Sequence, residues 1–330
     1  MKPTKNLRCI LAGIAVLLAL ITNVSAQDRL KISSAERGAW ESAAPELGQR
    51  AGIFQKHGIV LDLVYTEGDN ETLQRVISGS IEVGLGIGTT EALRAYIRGQ
   101  PVRIIGANVT GASNYWYVLT TSPIHKVKDL VGKTIAYATN GSSSHYDALD
   151  FSKEFRLNAR LVPTGGVTAT FRELTANHID VGWAAPPFGI DELEQGKIRV
   201  IARANDVPKI RGETLSVLST NAGTLEKRKE VLGRFMQAYR ETIDWMYSDP
   251  AALRHYAEFA RVSESFAQRL RDEFFTKSML SPDQVTGLKV TMKESKIKLS
   301  RRQVSELIQI PPPRHNDSKG SSSWKSWFSH

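Results

Sequence analysis

Short apolar runs with strand character alternate along the chain with segments whose apolar residues recur every three or four positions. Leu30-Lys31-Ile32 opens as a strand, and residues 45–57 read as a helix with Leu47, Ala51 and Phe54 on one face, stopped by Gly58. Residues 60–65 form a second strand. Asn70 is placed to cap a helix whose apolar stripe is Leu73, Val76 and Ile77. Residues 81–87 are a third strand, Thr90 is placed to cap the helix ending near Gly99, and residues 102–105 are a fourth strand. Strands separated by helices predict βα units and a mostly parallel sheet.

The plan then repeats. Ser80-Ile81-Glu82-Val83-Gly84 is answered by His178-Ile179-Asp180-Val181-Gly182, and Gly68 by Gly165. Val102-Arg103-Ile104-Ile105 is answered by Ile198-Arg199-Val200-Ile201, and Ala107-Asn108 by Ala204-Asn205. These four matches keep their order and lie 96 to 98 residues apart. A period this long is not a solenoid repeat. It predicts two similar α/β lobes whose strand-end loops share a cleft, because open α/β sheets bind ligands beyond the carboxyl ends of their strands.

The N-terminus changes the picture. Lys2, Lys5 and Arg8 precede the apolar run 10–21, and Val24-Ser25-Ala26 supplies small residues after it. This is the order of a secretory signal peptide, so residues 1–26 are expected to be removed. The single cysteine, Cys9, lies within that leader, so disulfides and thiol chemistry are not expected in the exported chain. The net charge is +9. The cations are scattered, with small clusters at 227–229 and 301–302 and no long basic stripe. That pattern, with export, excludes nucleic acid as the expected partner.

Five segments together resemble the nitrate/sulfonate/taurine-type substrate-binding proteins of ABC importers, grouped with thiamine-pyrimidine-precursor proteins. They are Ala51-Gly52-Ile53-Phe54-Gln55-Lys56-His57-Gly58-Ile59, Ser78-Gly79-Ser80-Ile81-Glu82-Val83-Gly84, Gly99-Gln100-Pro101-Val102, Lys128-Asp129-Leu130-Val131-Gly132-Lys133-Thr134-Ile135-Ala136 and Gly141-Ser142-Ser143-Ser144-His145. The resemblance runs from about Leu30 to Pro311. It implies a type II periplasmic binding fold, a monomer that catalyses nothing, and delivery of ligand to an inner-membrane permease. It implies a first lobe of 28–109 plus 208–310, a second lobe of 110–207, and a hinge of two segments near 108–115 and 204–214.

The strand-end loops supply the candidate ligand contacts. Trp40 is placed either to stack on a planar ligand or to pack under the following helix. Gly88-Thr89-Thr90 opens a helix, where free amides and hydroxyls suit an oxygen, or where Thr90 simply caps. Gly141, Ser142, Ser143 and Ser144 lie between a strand at 133–137 and an apolar helix, and this amide- and hydroxyl-rich helix start suits a sulfonate, carboxylate or phosphate. His145 can donate to an anion, although the helix dipole disfavours its protonation there. Trp183, Pro186 and Phe188 follow the strand 179–182 and can wall the pocket. Asp69, Asn70, Gly165 and Gly166 occupy matched loops, and Asn70 reads equally as a cap.

Enzymatic signatures are missing from the inventory. There is no Gly-x-Ser-x-Gly elbow and no His-Glu-x-x-His. The seven histidines do not pair at metal-ligand spacing, so neither metal nor cofactor is expected. Two alternatives stay open: an enzyme of the same fold in menaquinone or thiamine-precursor synthesis, which should lack a leader, and a sensor-coupled binding protein. Val231, Leu232, Phe235, Met236, Tyr239, Ile243 and Met246 form a helical stripe, and a further helix is expected over 264–275. Both are expected to pack on the first lobe. Residues 311–330 begin with three prolines and turn polar and Ser-rich, which predicts a disordered tail. Aromatic walls beside hydroxyls favour a larger organic anion over nitrate as ligand.

Overall fold

The computed structural model describes residues 27–34 and 37–312. The expected leader and all of the expected tail beyond residue 312 lie outside the described residues. No helix among the described residues is long and apolar enough to cross a membrane.

The alternation of strands and helices is realised as two sheets. In the first, β1 (Asp28–Ser34), β2 (Ile59–Tyr65), β3 (Val83–Gly88), β4 (Val102–Thr110) and a late strand, Thr214–Asn221, are ordered β2-β1-β3, then the late strand, then β4. The chain leaves for the second sheet through β5 (Tyr115–Leu119), followed by β6 (Thr134–Tyr137), β7 (Arg160–Pro163), β8 (Gly182–Ala184) and β9 (Ile198–Arg203). It then returns as the late strand, β10. β8-β5-β9 form one ladder and β6-β7 another. The Ala136 amide donates to the Val181 carbonyl at 3.0 Å and the Val181 amide to the Thr134 carbonyl at 3.0 Å, which joins them in the order β7-β6-β8-β5-β9. Each sheet therefore has the same order, with one reversed strand: β10 runs antiparallel to β3 and β4, and β5 antiparallel to β8 and β9.

The repeat read from the sequence has a physical counterpart. Thr66 and Thr72 share a hydroxyl–hydroxyl bond of 2.5 Å, and Thr164 and Thr170 one of 2.6 Å. Thr66 also donates to the carbonyl of Ser34 at the end of β1, as Thr164 does to that of Tyr137 at the end of β6. Glu82 accepts from the Lys31 amide, and Asp180 from the Thr134 amide, both at 2.8 Å. The same turn chemistry thus fixes the same βα corner twice.

Several boundaries differ from the sequence reading. The helix expected over 45–57 is broken: Ala44–Arg50 ends before Gly52, whose φ of 72° forces a turn into Ile53–Lys56. Asn70 is not a cap, because the helix Asp69–Ile77 already starts at Asp69 after Gly68. Thr90 is not a cap either, since the helix Thr89–Ile97 follows directly on Gly88. The long helix Lys229–Ser248 buries its whole expected stripe. Residues 264–275 open as a short α-helix, Glu264–Arg269, then widen into a π-helical turn, Leu270–Phe274. This element does not belong to the first sheet alone. Phe274 lies 5.0 Å from the Tyr115 ring of β5, and Glu273 pairs with Arg203 of β9 at 3.1 Å. The tilted contact between aromatic rings and the burial of Phe274 join this element to the second sheet.

Candidate functional site

The carboxyl ends of β1, β3, β6 and β8 and the loops that follow them form the candidate site. Two open depressions, of about 680 and 440 Å³, lie elsewhere. The first is lined by Arg29, Lys31 and Glu82 at the amino ends of strands, and the second by Tyr96, Gln100 and Arg103 before β4. Neither end is where an open α/β sheet assembles a ligand site.

In the second half, Ser142 caps the helix Ser143–Glu154, its hydroxyl accepting from the His145 amide at 3.2 Å. Ser144 is buried, and its hydroxyl accepts from the Ala138 amide at 3.0 Å. These two hydroxyls also bond each other at 3.0 Å. Ser144 therefore builds the loop, and its hydroxyl does not face the cleft. Ser143 is exposed, and among the described residues its hydroxyl has no protein partner. The Ser143 and Ser144 amides likewise have no protein acceptor among the described residues, which leaves two oriented donors at a helix start. Gly141, at φ 82°, turns its amide onto Nδ1 of His145 at 3.0 Å. That bond leaves the imidazole proton on Nε2, and the ring stacks on Tyr137 with centroids 4.3 Å apart.

Across the corner, Gly165 has φ 83° and Gly166 precedes the helix Val167–Thr175. Trp183 is half-buried, and its Nε1 is buried without a partner among the described residues. Phe188 meets Phe171 edge-on at 6.2 Å, and its carbonyl accepts from the Tyr115 hydroxyl at 2.5 Å. Pro186 and Pro187 are joined by a cis peptide bond.

The first half departs from the sequence reading. Trp40 is 1% exposed. Its Nε1 donates to the Tyr247 hydroxyl at 3.0 Å and its ring meets Tyr256 at 4.7 Å. The packing alternative holds, and Trp40 lines no open surface. Thr89 is buried, its hydroxyl donating to the Thr214 carbonyl at 2.6 Å. The Thr90 hydroxyl bonds that of Ser295 at 3.3 Å. Both threonines are thus spent on the fold, while Gly88 ends β3 and Asp69 and Asn70 open the helix that follows β2.

Polar groups the sequence reading passed over gather near the chain crossings. Burial pushes Asp147 up to about 6, although the Asn114 side-chain amide donates to it at 2.6 Å. Burial likewise pushes Glu213 up to about 7, and its Oε1 is buried without a partner among the described residues. Lys209 joins Asp150 at 2.7 Å on one side to Glu294 on the other. Asp147 was detectable in principle: it shares a helix face with Ser144, Ala148 and Phe151, all buried, and a carboxylate on an apolar stripe signals a buried charge.

This architecture is that of a periplasmic binding protein. The periplasmic aliphatic sulphonate binding protein SsuA from Escherichia coli superposes with a TM-score of 0.61 at 15% identity, over 89% of this chain and 96% of that one. The alkanesulfonate-binding protein SsuA from Xanthomonas axonopodis pv. citri, bound to MOPS, gives 0.58 at 17% identity, over 87% and 100%. The desulfurization enzyme DSZB gives 0.55 at 16% identity, over 82% and 91%. No curated protein sequence matches the chain. The family described as NMT1/THI5 like matches residues 44–253, more than half of the chain, and the protein belongs to that family.

Proposed function

We propose that this protein is the exported, non-catalytic binding component of an ABC importer, capturing a small organic anion of the alkanesulfonate, taurine or aromatic-acid class and delivering it to an inner-membrane permease. The lobes are 28–109 with 208–310, and 110–207, and they close on the ligand in the periplasm. The observation that carries this reading is the start of the helix Ser143–Glu154, where, among the described residues, two amides have no protein acceptor and the Ser143 hydroxyl has no partner. Oriented amides at a helix start favour an anionic oxygen. Two solved structures of this fold are of sulfonate-binding proteins, which supports the same ligand class.

The likeness to DSZB supports a second reading, an enzyme of the same fold. Export separates the two, so mass spectrometry of the secreted form should give a chain beginning near Gln27. A thermal-shift screen of alkanesulfonates, taurine, aromatic carboxylates, nitrate and pyrimidines tests the ligand class, since a ligand that binds only the folded state raises the melting temperature. No shift with any organic anion would overturn the proposal.

A further inference from the structure

The basic pair at 301–302 belongs to a larger charged face once the chain is folded. Residues 289–302 hold six lysines and arginines and one acidic residue, Glu294, which is more than half of the net charge of +9. Apolar side chains decide which way this segment faces. Leu288, Ile297, Leu299 and Leu307 join Leu93 and Val102 in one core cluster. The helix Leu288–Glu294 thereby packs on the helix Thr89–Ile97, and the helix Arg301–Leu307 on β4. Lys296-Ile297-Lys298-Leu299 alternates exposed with half-buried positions, so its lysines stay outside. Arg94 and Arg98, at the end of the neighbouring helix, are exposed as well. Among the described residues Arg94, Arg98, Lys293, Lys296, Lys298 and Arg302 have no ion-pair partner. The acids of these elements are turned elsewhere: Glu306 holds Arg103 at 2.7 Å, Glu294 holds Lys209, and Glu91 lies against Gly88.

Unpaired cations alone suit any polyanion, but two further observations favour a lipid surface. The first is an apolar side chain among them. Ile97 is 49% exposed. Positions 94, 97 and 98 share about a third of the helix circumference, and Ile97 lines one open depression of about 440 Å³ together with Lys298 and Arg103. An exposed apolar group ringed by cations meets headgroups and the acyl boundary at once. The second observation is where the chain leaves. The Gln309 amide donates to the Ile104 carbonyl at 2.8 Å, and the Arg240 guanidinium to the Pro311 carbonyl at 2.7 Å, so the chain departs next to Arg103. Residues 313–330 lie outside the described residues. Their sequence ends in Trp324-Lys325-Ser326-Trp327-Phe328, and tryptophan beside lysine is the composition that settles at a membrane–water interface.

We propose that this face docks on anionic phospholipid headgroups at a membrane surface, with the aromatic end of the chain as a second, apolar attachment. Each basic side chain beside an anionic bilayer strengthens binding by about fivefold. A polybasic patch and an apolar contact together give the two signals that stable attachment takes, where either alone is marginal. The face lies apart from the loops at 141–145 and 183–188, so the attachment stands or falls separately from ligand binding.

The test is flotation of the secreted full chain with vesicles of phosphatidylcholine, alone or mixed with phosphatidylglycerol. Binding is expected to the mixed vesicles only, and should weaken as salt is raised. The double variant Lys298→Glu, Arg302→Glu should lose at least about tenfold in binding. The control Lys227→Glu, Lys229→Glu changes the net charge equally but lies on the other basic cluster, and should lose about twofold or less. The triple variant Trp324→Ser, Trp327→Ser, Phe328→Ser, which keeps the charge, should also lose about tenfold. Melting temperatures check that the variants fold, and the unsubstituted protein on the two vesicle compositions already decides whether lipid is the partner. Equal losses in the two charge variants would show attraction by net charge alone and overturn the proposal. Unchanged binding in the triple variant would overturn its aromatic half. No binding to the mixed vesicles would overturn it entirely and leave an acidic protein as the partner of this face.

Discussion

At the scale of single residues, the loop 141–145 divides its work in a way that can be measured. Ser143 is exposed with a free hydroxyl, whereas Ser144 accepts the Ala138 amide inside the loop. Ser143→Ala should weaken binding of an organic sulfonate by about tenfold and leave unliganded stability unchanged, since a hydrogen bond to a charged group is worth about 1.5–3 kcal/mol. Ser144→Ala should lower stability by about 1–2 kcal/mol, because the Ala138 amide loses its acceptor. Calorimetry and urea unfolding of the same two variants check both outcomes. Asp147 sets a pH dependence. Burial raises its folded-state pKa to about 6, so between about pH 4 and 6 the folded chain holds a proton that the unfolded chain has released. Stability from this group is full below about pH 4 and falls as pH rises through 6. Glu213, raised to about 7, extends the same slope toward neutrality. Asp147→Asn should raise stability at pH 8 by about 1–2 kcal/mol and flatten the profile between pH 4 and 6, measured as melting temperature against pH.

At the scale of elements, the α-to-π segment 264–274 packs on the second sheet through its C-terminal end. Phe274 is buried against Tyr115, and the Arg203 guanidinium lies 5.4 Å from the Phe274 ring while pairing with Glu273. Phe274→Ala should destabilise the fold by about 3 kcal/mol in urea unfolding, in line with losing a large buried aromatic side chain. A loss below about 0.5 kcal/mol would show that the segment is not fastened there. The sequence reading marked this segment as helical from Phe266, Leu270 and Phe274. Periodicity reveals which face is apolar but not which partner it meets, so its assignment to the first lobe was not legible. The crossing strand β5, Tyr115–Leu119, was passed over for a related reason. It lies in the middle of its sheet, covered on both faces, and a continuous apolar run lacks the alternation that marks a half-exposed strand.

At the scale of the whole molecule, two sheets of one topology are joined by two crossings, at residues 111–114 and 204–213. A hydrogen bond links the two crossings, the Ala112 amide donating to Asn205 Oδ1 at 2.9 Å. Lys209 binds Asp150 of the helix Ser143–Glu154 and also Glu294 of the helix Leu288–Glu294. If the halves close on a ligand, the radius of gyration from small-angle scattering should fall on saturation, as in hinge closure. Lys209→Met, which removes this link, should change the free-state radius or the ligand-induced change. A radius that ignores both ligand and substitution would remove the hinge reading.

The sequence by itself determined the α/β class, the duplication and the positions of most strands. Those depend on local patterns, namely apolar periodicity and matched segments such as Ser80-Ile81-Glu82-Val83-Gly84 and His178-Ile179-Asp180-Val181-Gly182, which chain neighbours specify. It also marked 141–145 as polar and glycine-rich, with amides to offer. Tertiary structure decided which of those groups are free. Trp40 met Tyr247 and Tyr256 from a segment some two hundred residues away, Thr89 found the Thr214 carbonyl, and the carboxylates of Asp69 and Glu91 converged over Gly88 from two different helices. A side chain's availability depends on partners distant along the chain, and single-sequence patterns carry no record of those partners.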